Sequence, residues 1–375
     1  MEAPSPTAYC LLPIASSASF TYLPCMLSPL ERAAYAARQA SRVAWFMGHY
    51  FATSRFRRAP PPEGDVRRLK PRAPGPGLER ILADIAALFE RDLDNVERGL
   101  YPLPRDHDGS LAKRLKTSRA FFADVPLSAE RRAERRGNEV RDEVPRGSLP
   151  AYFVQNFHYQ TGGYLTRDSA QLYDTQVEVL FSGTANAMRR QCLPPIAAWL
   201  KGRDQRQMRL LDIACGTGRL LRFVKQAFPR IMASGLDLSA AYLEEAQQHL
   251  APYRDVGLIT GNAEHLPYAD RSIDILTCVY LFHEVPPKVR RIIAGEFARV
   301  LKPGGRLVFM DSLQRGDRAD FDGLLESFPL HFHEPYYPSY LREDLASLFG
   351  ERGLVTAHAE PVFLSKLMVL DSPGA

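Results

Sequence analysis

The sequence predicts an α/β fold in which a doubly wound, mostly parallel sheet carries helices on both faces. A short apolar strand from Leu210 to Ile213 runs into a glycine turn, and a helical pattern follows through Leu220 and Val224. Further strand patterns recur at Ile231 to Leu236, Val256 to Thr260 and Leu307 to Asp311. In such sheets a ligand binds at the carboxyl ends of the strands.

The glycine turn after the first strand contains the most informative residues of the chain. It runs from Asp212 through Ala214 and Gly216 to Gly218. Because Gly216 and Gly218 carry no Cβ, the backbone there can approach a ligand closely. Asp237 ends the second strand, where a carboxylate can accept hydrogen bonds from both hydroxyls of a ribose. Together, the turn and the acid predict a nucleoside cofactor.

The spacing of the turn disfavours a dinucleotide. A dinucleotide fingerprint follows G-x-G-x-x-G and binds a pyrophosphate at the helix N-terminus. Asp212 would repel a pyrophosphate but suits an ammonium group, and S-adenosylmethionine has an ammonium group, a ribose and no phosphate. At these residues the chain resembles the class I S-adenosylmethionine-dependent methyltransferases, most closely the branch of the ubiquinone/menaquinone-biosynthesis C-methyltransferases.

The resemblance extends in order and spacing from about Arg209 to Met310. In the family, the segment Gly261 to Glu264 holds the adenine, usually with Asp where Asn262 stands, and Asn keeps a donor and an acceptor. Leu281 to Val285 falls where the family places its active-site segment. Val300 to Leu307 matches the family's helix, turn and strand at the fifth strand of the sheet.

The resemblance implies a Rossmann-like sheet that closes with an antiparallel hairpin, formed by Leu354 to Pro361 and Phe363 to Leu370. It also implies that S-adenosylmethionine is the cofactor. Asp237 alone could instead cap the following helix together with Ser239. The expected cofactor-binding residues are Asp212, Ala214, Gly216, Gly218, Asp237, Leu238, Asn262, Ala263 and Cys278.

The candidate catalytic residues, His283 and Glu284, follow the fourth strand, near the expected position of the methyl group. A histidine titrates near neutral pH and can take a proton from a hydroxyl or an acidic carbon. We therefore expect His283 to act as a base or to orient the acceptor. The alternative is a structural hydrogen bond within the loop.

Residues 151–200 are expected to form a helical lid. The stretch from Tyr152 to Tyr164 is dense in aromatic side chains, and the resembling family folds the segment before the first strand over its cofactor and substrate. Aromatic faces stabilise a sulfonium cation, and an apolar cover excludes water. These side chains could instead pack a core between domains. The candidate substrate-binding residues are His158, Tyr164, His333 and Tyr336.

Residues 1–150 are expected to be mainly helical and lie outside the resemblance, whereas 201–375 form the expected cofactor-binding domain. Ser28 and Glu31 predict a capping box at the start of a helix that reaches about Ser54. Two further helices are expected over Leu111 to Phe122 and Ser128 to Glu134. A basic cluster there is either a solvated helix face or an RNA contact, and comprises Arg131, Arg132, Arg135 and Arg136.

Three more segments have a predicted structure. Residues before about Leu27 are expected to be irregular, and Ala59 to Gly77 is rich in Pro, Gly and Arg and predicts a loop. Ser339 is expected to cap a helix over Leu341 to Arg352, which Gly353 ends.

The composition argues against several classes of protein. The chain has 375 residues, with 48 basic and 43 acidic side chains and a net charge of +5, which does not indicate a nucleic-acid partner. The five cysteines are scattered, so neither a disulfide framework nor a metal site is expected. No run of about 18 apolar residues predicts a membrane span, and no basic leader segment begins the chain. We expect a cytoplasmic protein, and the sequence leaves a homodimer open.

The sequence therefore predicts methyl transfer from S-adenosylmethionine to a small molecule by in-line displacement. The aromatic covering segments favour an aromatic or lipophilic acceptor. Two alternatives stay open: an RNA or protein methyltransferase that uses the basic N-terminal region, and a non-catalytic subunit that binds the cofactor. The chain lacks an N/D-P-P-Y/F motif after the fourth strand, which disfavours methylation of an amino group on a base or a glutamine.

Overall fold

The computed structural model describes residues 26–56, 71, 74–106 and 108–374. The predicted irregular segment at the N-terminus and most of the predicted loop from Ala59 to Gly77 lie outside the described residues, as do Cys10 and Cys25. Among the residues that are described, no helix has the length and apolar character that crossing a membrane requires.

The described residues contain a seven-stranded sheet. Its strands are β1 (Arg209–Ile213), β2 (Met232–Asp237), β3 (Val256–Thr260), β4 (Ile273–Val279), β5 (Leu301–Ser312), β6 (Val355–Val362) and β7 (Ser365–Asp371). They lie in the order β3-β2-β1-β4-β5-β7-β6. The first five strands pair in parallel, and β7 pairs antiparallel with both β5 and β6. The doubly wound, mostly parallel sheet with a closing antiparallel hairpin is therefore confirmed.

The centre of the sheet positions the glycine turn. Asp212 of β1 lies in register with Gly235 of β2 and Thr277 of β4. Since chain order reverses between the two neighbours of β1, its carboxyl end opens at a topological switch point, where ligands bind in sheets of this kind.

The helices cover the sheet and build the N-terminal region, which is mainly helical as predicted. They are α1 (Pro29–Ala52), α2 (Leu78–Glu97), α3 (Leu111–Glu134), α4 (Arg167–Leu180), α5 (Ala185–Arg190), α6 (Leu193–Leu200), α7 (Arg219–Ala227), α8 (Ala240–Leu250), α9 (Pro287–Val300), α10 (Asp322–His331), α11 (Tyr337–Tyr340) and α12 (Leu345–Gly350).

Two helix predictions are wrong in detail. The sequence predicts a break before Ser128, but α3 is one continuous helix with Pro126 inside it. A proline removes one backbone donor, and the neighbouring turns carry the helix past it. The predicted helix capped by Ser339 starts later, because Asp344 provides the cap and accepts a hydrogen bond from the Ser347 N–H at 3.0 Å.

α2 shares the hydrophobic core of the sheet through Ile85, Leu88 and Val96. Phe46 of α1 and Phe121 of α3 form a separate cluster with Val179. α1 begins at the predicted capping box of Ser28 and Glu31. The guanidinium of Arg190 on α5 is buried and pairs with Asp92 of α2 at 2.7 Å and with Asp106 at 2.6 Å. These buried ion pairs connect the N-terminal helices to the segment that leads into β1.

The basic cluster near the end of α3 is paired within the protein. Arg131 pairs with Glu139 at 2.5 Å, and Arg136 pairs with Glu130 at 3.1 Å. At least two of the four arginines therefore have acidic partners within the described residues.

Candidate cofactor and acceptor site

The two glycines of the turn have different surroundings. The φ angle is +53° at Gly216 and +75° at Gly218, a region that residues with a side chain rarely adopt. A Cβ on Gly216 would meet nothing within 4 Å, whereas a Cβ on Gly218 would lie 2.9 Å from Leu250 Cδ1. Gly216 therefore leaves open space at the turn, and Gly218 lets α8 pack closely against it.

Asp237 closes the turn from the end of β2. Its Oδ2 accepts a hydrogen bond from the Gly216 N–H at 2.8 Å, and its Oδ1 accepts one from the Ser239 N–H at 2.8 Å. Ser239 is the N-cap of α8, since its hydroxyl accepts from the Tyr242 N–H. Burial raises the pKa of Asp237. Each carboxylate oxygen has a second lone pair, so Asp237 can still accept hydrogen bonds from a ribose.

Asp212 lies below the turn. Its side chain is buried, and its Oδ1 accepts a hydrogen bond from the Thr277 hydroxyl at 2.6 Å. Burial raises the pKa of Asp212 to about 7. A ligand ammonium group nearby would favour the charged form of this carboxylate.

A cavity, called here the cofactor cavity, opens at this edge of the sheet. Its interior volume is about 90 Å³. Six of the predicted cofactor-binding residues line it: Ala214, Gly216, Asp237, Leu238, Asn262 and Ala263. Three do not: Asp212, Gly218 and Cys278. Cys278 is fully buried in β4, where strand periodicity alone does not reveal which face points to the cavity.

The adenine-binding segment of the resemblance also lies at the cavity. The Oδ1 of Asn262 accepts a hydrogen bond from the Glu264 N–H at 2.9 Å, which fixes the turn after β3. The phenol of Tyr152 donates to Oε1 of Glu264 at 2.8 Å. Acceptors at Asp237, open space at Gly216 and an amide at Asn262 fit the adenosyl part of S-adenosylmethionine.

Aromatic side chains from the segment before β1 cover the cavity, and Phe157 and Tyr164 stack with ring centroids 5.4 Å apart. The phenol of Tyr164 donates to Oε1 of Glu284 at 2.5 Å, and its carbonyl accepts from the Ser239 hydroxyl at 2.5 Å. Tyr173 and Tyr242 line the same cavity, although the sequence pattern did not distinguish them from core residues.

His283 lies behind the wall of the cavity. Its Nδ1 lies 2.5 Å from Oδ1 of Asp311 on β5, and the other Asp311 oxygen accepts from the Phe282 N–H at 2.7 Å. Burial opposes a charge on the imidazole, but Asp311 outweighs it and raises the pKa of His283 to about 9. The Nε2 of His283 lies 3.8 Å from Oε1 of Glu284, and Glu284 lines the cavity. Glu284 can therefore contact a ligand directly, and His283 lies behind it.

Glu284 belongs to a cluster with Glu334 and His158. Burial raises the pKa of Glu284 to about 7 and holds that of Glu334 well above its usual value. The Nε2 of His158 lies 3.2 Å from Oε1 of Glu334, and burial lowers the pKa of His158 to about 3. Glu334 was not among the predicted site residues, because nothing in its local sequence links it to two segments so far away in the chain.

A second cavity, called here the apolar chamber, adjoins the cofactor cavity. Its interior volume is about 130 Å³, and Tyr173 lines both cavities. Its lining comes from the end of α1, from α3 and α4 and from the segment after α10, and includes Tyr50, Phe56, Phe121, Val125, Val177, Val179 and Phe332.

The four predicted substrate-binding residues take different positions. Tyr164 lines the cofactor cavity, and His158 lines the apolar chamber. His333 and Tyr336 line neither of the two. Instead they hold Gln155: His333 Nε2 lies 2.8 Å from its Oε1, and the Tyr336 hydroxyl accepts from its Nε2 at 3.1 Å.

Comparison with known proteins identifies the family. A family model described as "Methyltransferase domain" matches residues 210–305. A demethylmenaquinone methyltransferase from Thermotoga maritima is 32% identical over 167 residues, which cover 44% of this chain and 68% of the relative. The corresponding enzyme from Lactiplantibacillus plantarum is 32% identical over 207 residues, which cover 50% of this chain and 84% of the relative. This chain belongs to the class I S-adenosylmethionine-dependent methyltransferases.

The match places this methyltransferase with the ubiquinone/menaquinone-biosynthesis type, and S-adenosylmethionine is its cofactor. Among solved structures, a S-adenosylmethionine-dependent methyltransferase from Aquifex aeolicus has a TM-score of 0.37 and 16% identity, over 49% of this chain and 92% of that one. A putative sarcosine dimethylglycine methyltransferase from Galdieria sulphuraria has a TM-score of 0.39 and 19% identity, over 53% and 88%.

Proposed function

We propose that this methyltransferase methylates a small aromatic or lipophilic acceptor by in-line displacement. The apolar chamber carries the proposal, because aromatic and aliphatic side chains dominate its lining and such walls bind apolar ligands. It adjoins the cofactor cavity at Tyr173, so an acceptor seated there would reach the methyl donor. Relatives named for demethylmenaquinone, a lipophilic aromatic compound, support the same class of acceptor.

In this proposal, the residues at the cofactor cavity bind S-adenosylmethionine and orient it. S-adenosylmethionine supplies an activated methyl group when bound. Asp237 accepts the ribose hydroxyls, Gly216 leaves room for the adenosyl part, and Asn262 and Ala263 hold the adenine. Tyr164 and the neighbouring aromatic rings exclude water and present faces that stabilise a cation.

Glu284 is the proposed group that contacts the acceptor, with His283 as its positioning residue. Glu284 lines the cofactor cavity and accepts a hydrogen bond from Tyr164, which leaves its second oxygen available. His283 is held by Asp311 and lies beside the Glu284 carboxylate. The sequence predicts that His283 acts as a base or orients the acceptor. In this proposal it does so through Glu284.

A double substitution tests this role. His283→Ala and Asp311→Asn should each lower kcat at least tenfold and leave the affinity for S-adenosylhomocysteine within about twofold, and the double variant should lose no more than either single one. His358→Ala, at an exposed histidine of β6, is the control. Unchanged turnover, or additive losses, would remove the positioning role.

The division of the chain follows from the two cavities. We propose that residues 151–200 act as the lid, since Phe157, Tyr164 and Tyr173 line the cofactor cavity. Residues 1–150 complete the acceptor site, because α1 and α3 form one side of the apolar chamber.

Filling the apolar chamber tests the acceptor class. Purified enzyme is incubated with S-adenosylmethionine and a set of phenols, quinols and apolar amines, and S-adenosylhomocysteine formation is measured. Val177→Trp narrows the chamber and should raise the acceptor KM at least tenfold, with cofactor affinity unchanged. Val355→Trp, at an exposed site on β6, is the matched control. Turnover of polar substrates alone, or a Val177→Trp variant with unchanged KM, would contradict the proposal.

A further inference from the structure

Three potential metal ligands meet between the cofactor cavity and the apolar chamber. The Nε2 of His158 and one carboxylate oxygen each from Glu284 and Glu334 all lie within 4.8 Å of one another. Glu284 lines the cofactor cavity and His158 lines the apolar chamber, so the cluster stands between the two.

Glu334 provides a second, independent observation. It is 3% exposed, and within the described part of the chain neither of its carboxylate oxygens has a hydrogen-bond partner of acceptable geometry. A buried carboxylate without hydrogen bonds requires a compensating cation or a proton. The Glu284 carboxylate beside it adds a like charge, which increases that requirement.

The backbone at His158 is held in a strained conformation. The φ angles of His158 and Tyr159 are +54° and +58°. Such angles at residues with side chains persist only where the surroundings impose them, and they concentrate at functional sites. Here the His158 N–H donates to the His333 carbonyl at 3.3 Å, and the amide of Asn156 donates to the Gln160 carbonyl at 3.0 Å. In this conformation the Nε2 of His158 lies beside Oε1 of Glu334.

One of the three separations between donor atoms matches direct coordination, and the other two are no longer than 4.8 Å. Metal–ligand bonds of about 2.1 Å in a tetrahedral site place neighbouring donor atoms about 3.4 Å apart. His158 Nε2 and Glu334 Oε1 are 3.2 Å apart. We propose that His158, Glu284 and Glu334 bind one divalent transition-metal ion.

The chemistry of the three ligand side chains limits which metal ions suit the site. One imidazole and two carboxylates suit Zn²⁺, Mn²⁺ or Fe²⁺ better than an ion that prefers oxygen alone or sulfur. Three protein ligands leave at least one coordination position open, as catalytic sites do. An oxygen of the acceptor can take that position and be polarised there, a step that rests on the proposed function.

Metal titration of the chelator-treated full-length enzyme tests the site. Mn²⁺ binding is followed by electron paramagnetic resonance, and Zn²⁺ binding by calorimetry. We expect one ion per chain. The variants Glu334→Gln, Glu284→Gln and His158→Gln should each weaken binding at least tenfold. Glu244→Gln on the exposed face of α8 and His358→Gln on β6 should bind like the parent.

Thermal unfolding and circular dichroism establish that each variant is folded. Metal-free Glu334→Gln should melt at or above the temperature of the metal-free parent, because it removes a buried charge, and added metal should raise the melting temperature of the parent alone. Failure of the parent to bind Mn²⁺ and Zn²⁺ would overturn the proposal. Equal binding by the parent and Glu334→Gln would overturn it as well. Since these readouts need no acceptor, they are independent of whether the proposed acceptor class is right.

Discussion

Replacing Gly216 or Gly218 by alanine should distinguish a glycine that leaves space for the ligand from one that lets the protein pack closely. At Gly216 the φ of +53° makes alanine cost about 1–2 kcal/mol in backbone strain, and the added methyl meets no protein atom within 4 Å. At Gly218 the same strain is joined by contacts of 2.9 Å to Leu250 Cδ1 and 3.2 Å to the Ala246 Cβ. Overpacking of this kind costs a further ~1–3 kcal/mol. Gly218→Ala should therefore lose about 2–5 kcal/mol of unfolding free energy, clearly more than Gly216→Ala.

Affinity for the ligand should fall more in Gly216→Ala than in Gly218→Ala. Gly216 lines the cofactor cavity and an added methyl meets open space there, so the affinity of Gly216→Ala for S-adenosylhomocysteine should fall at least tenfold, which is about 1.4 kcal/mol. Gly218 does not line the cavity, so folded Gly218→Ala should bind within about threefold of the parent.

Urea unfolding measures the first quantity and calorimetric titration the second. Gly350→Ala is a suitable control, because Gly350 has a negative φ and open surroundings. If Gly218→Ala lost affinity and kept its stability, or if Gly216→Ala bound normally, the assignment of separate roles to the two glycines would be refuted.

Three further predictions concern charge. Asp237→Asn should bind S-adenosylhomocysteine about 10–100-fold more weakly by calorimetry, since hydrogen bonds to a carboxylate contribute about 1.5–3 kcal/mol; equal affinity would remove its ribose role. Arg190→Met leaves Asp92 buried without its cation and leaves Asp106 with Arg42 alone at 3.7 Å. It should cost about 3–5 kcal/mol in urea unfolding, whereas Arg206→Met, at an exposed pair, should cost less than about 1 kcal/mol. Burial opposes ionisation of Asp106, but Arg190 and Arg42, with a hydrogen bond from Gln39, together outweigh it and hold the pKa below the usual range. The stability contributed by ionised Asp106 should therefore be present above a pH of about 4 and be lost as the pH falls further. Asp106→Asn should lose less stability at acidic pH than the parent, and an equal loss would exclude Asp106 as the source of the acid dependence.

The sheet and the cofactor edge were predictable because their signals are local. The turn from Asp212 to Gly218 lies within one strand–turn–helix unit, and the step to Asp237 is a single helix and strand. Parallel pairing then brings the strand ends to one edge without any further information. The same logic could not separate Gly216 from Gly218, since their difference lies in how close α8 approaches.

The acceptor side was less predictable because its contacts join distant segments. His158 and Glu284 were recognised singly, but their meeting with Glu334 depends on how the segments before β1 and after α10 pack over the sheet. The absence of paired cysteines indicated no metal site, although histidine and carboxylate ligands can converge without any characteristic spacing. The continuous α3 shows the same limit. A proline inside a helical pattern usually predicts a break, but the turns on either side of Pro126 continue the helix.

The aromatic cover is fastened to the parts of the enzyme that a bound nucleoside would touch. Tyr152 is bonded to Glu264, and Tyr164 is bonded to both Glu284 and Ser239. In the proposed lid, these hydrogen bonds would have to break each time a spent donor leaves. Release of the donor would then involve Glu284, the carboxylate proposed to contact the acceptor, so both events would draw on one side chain.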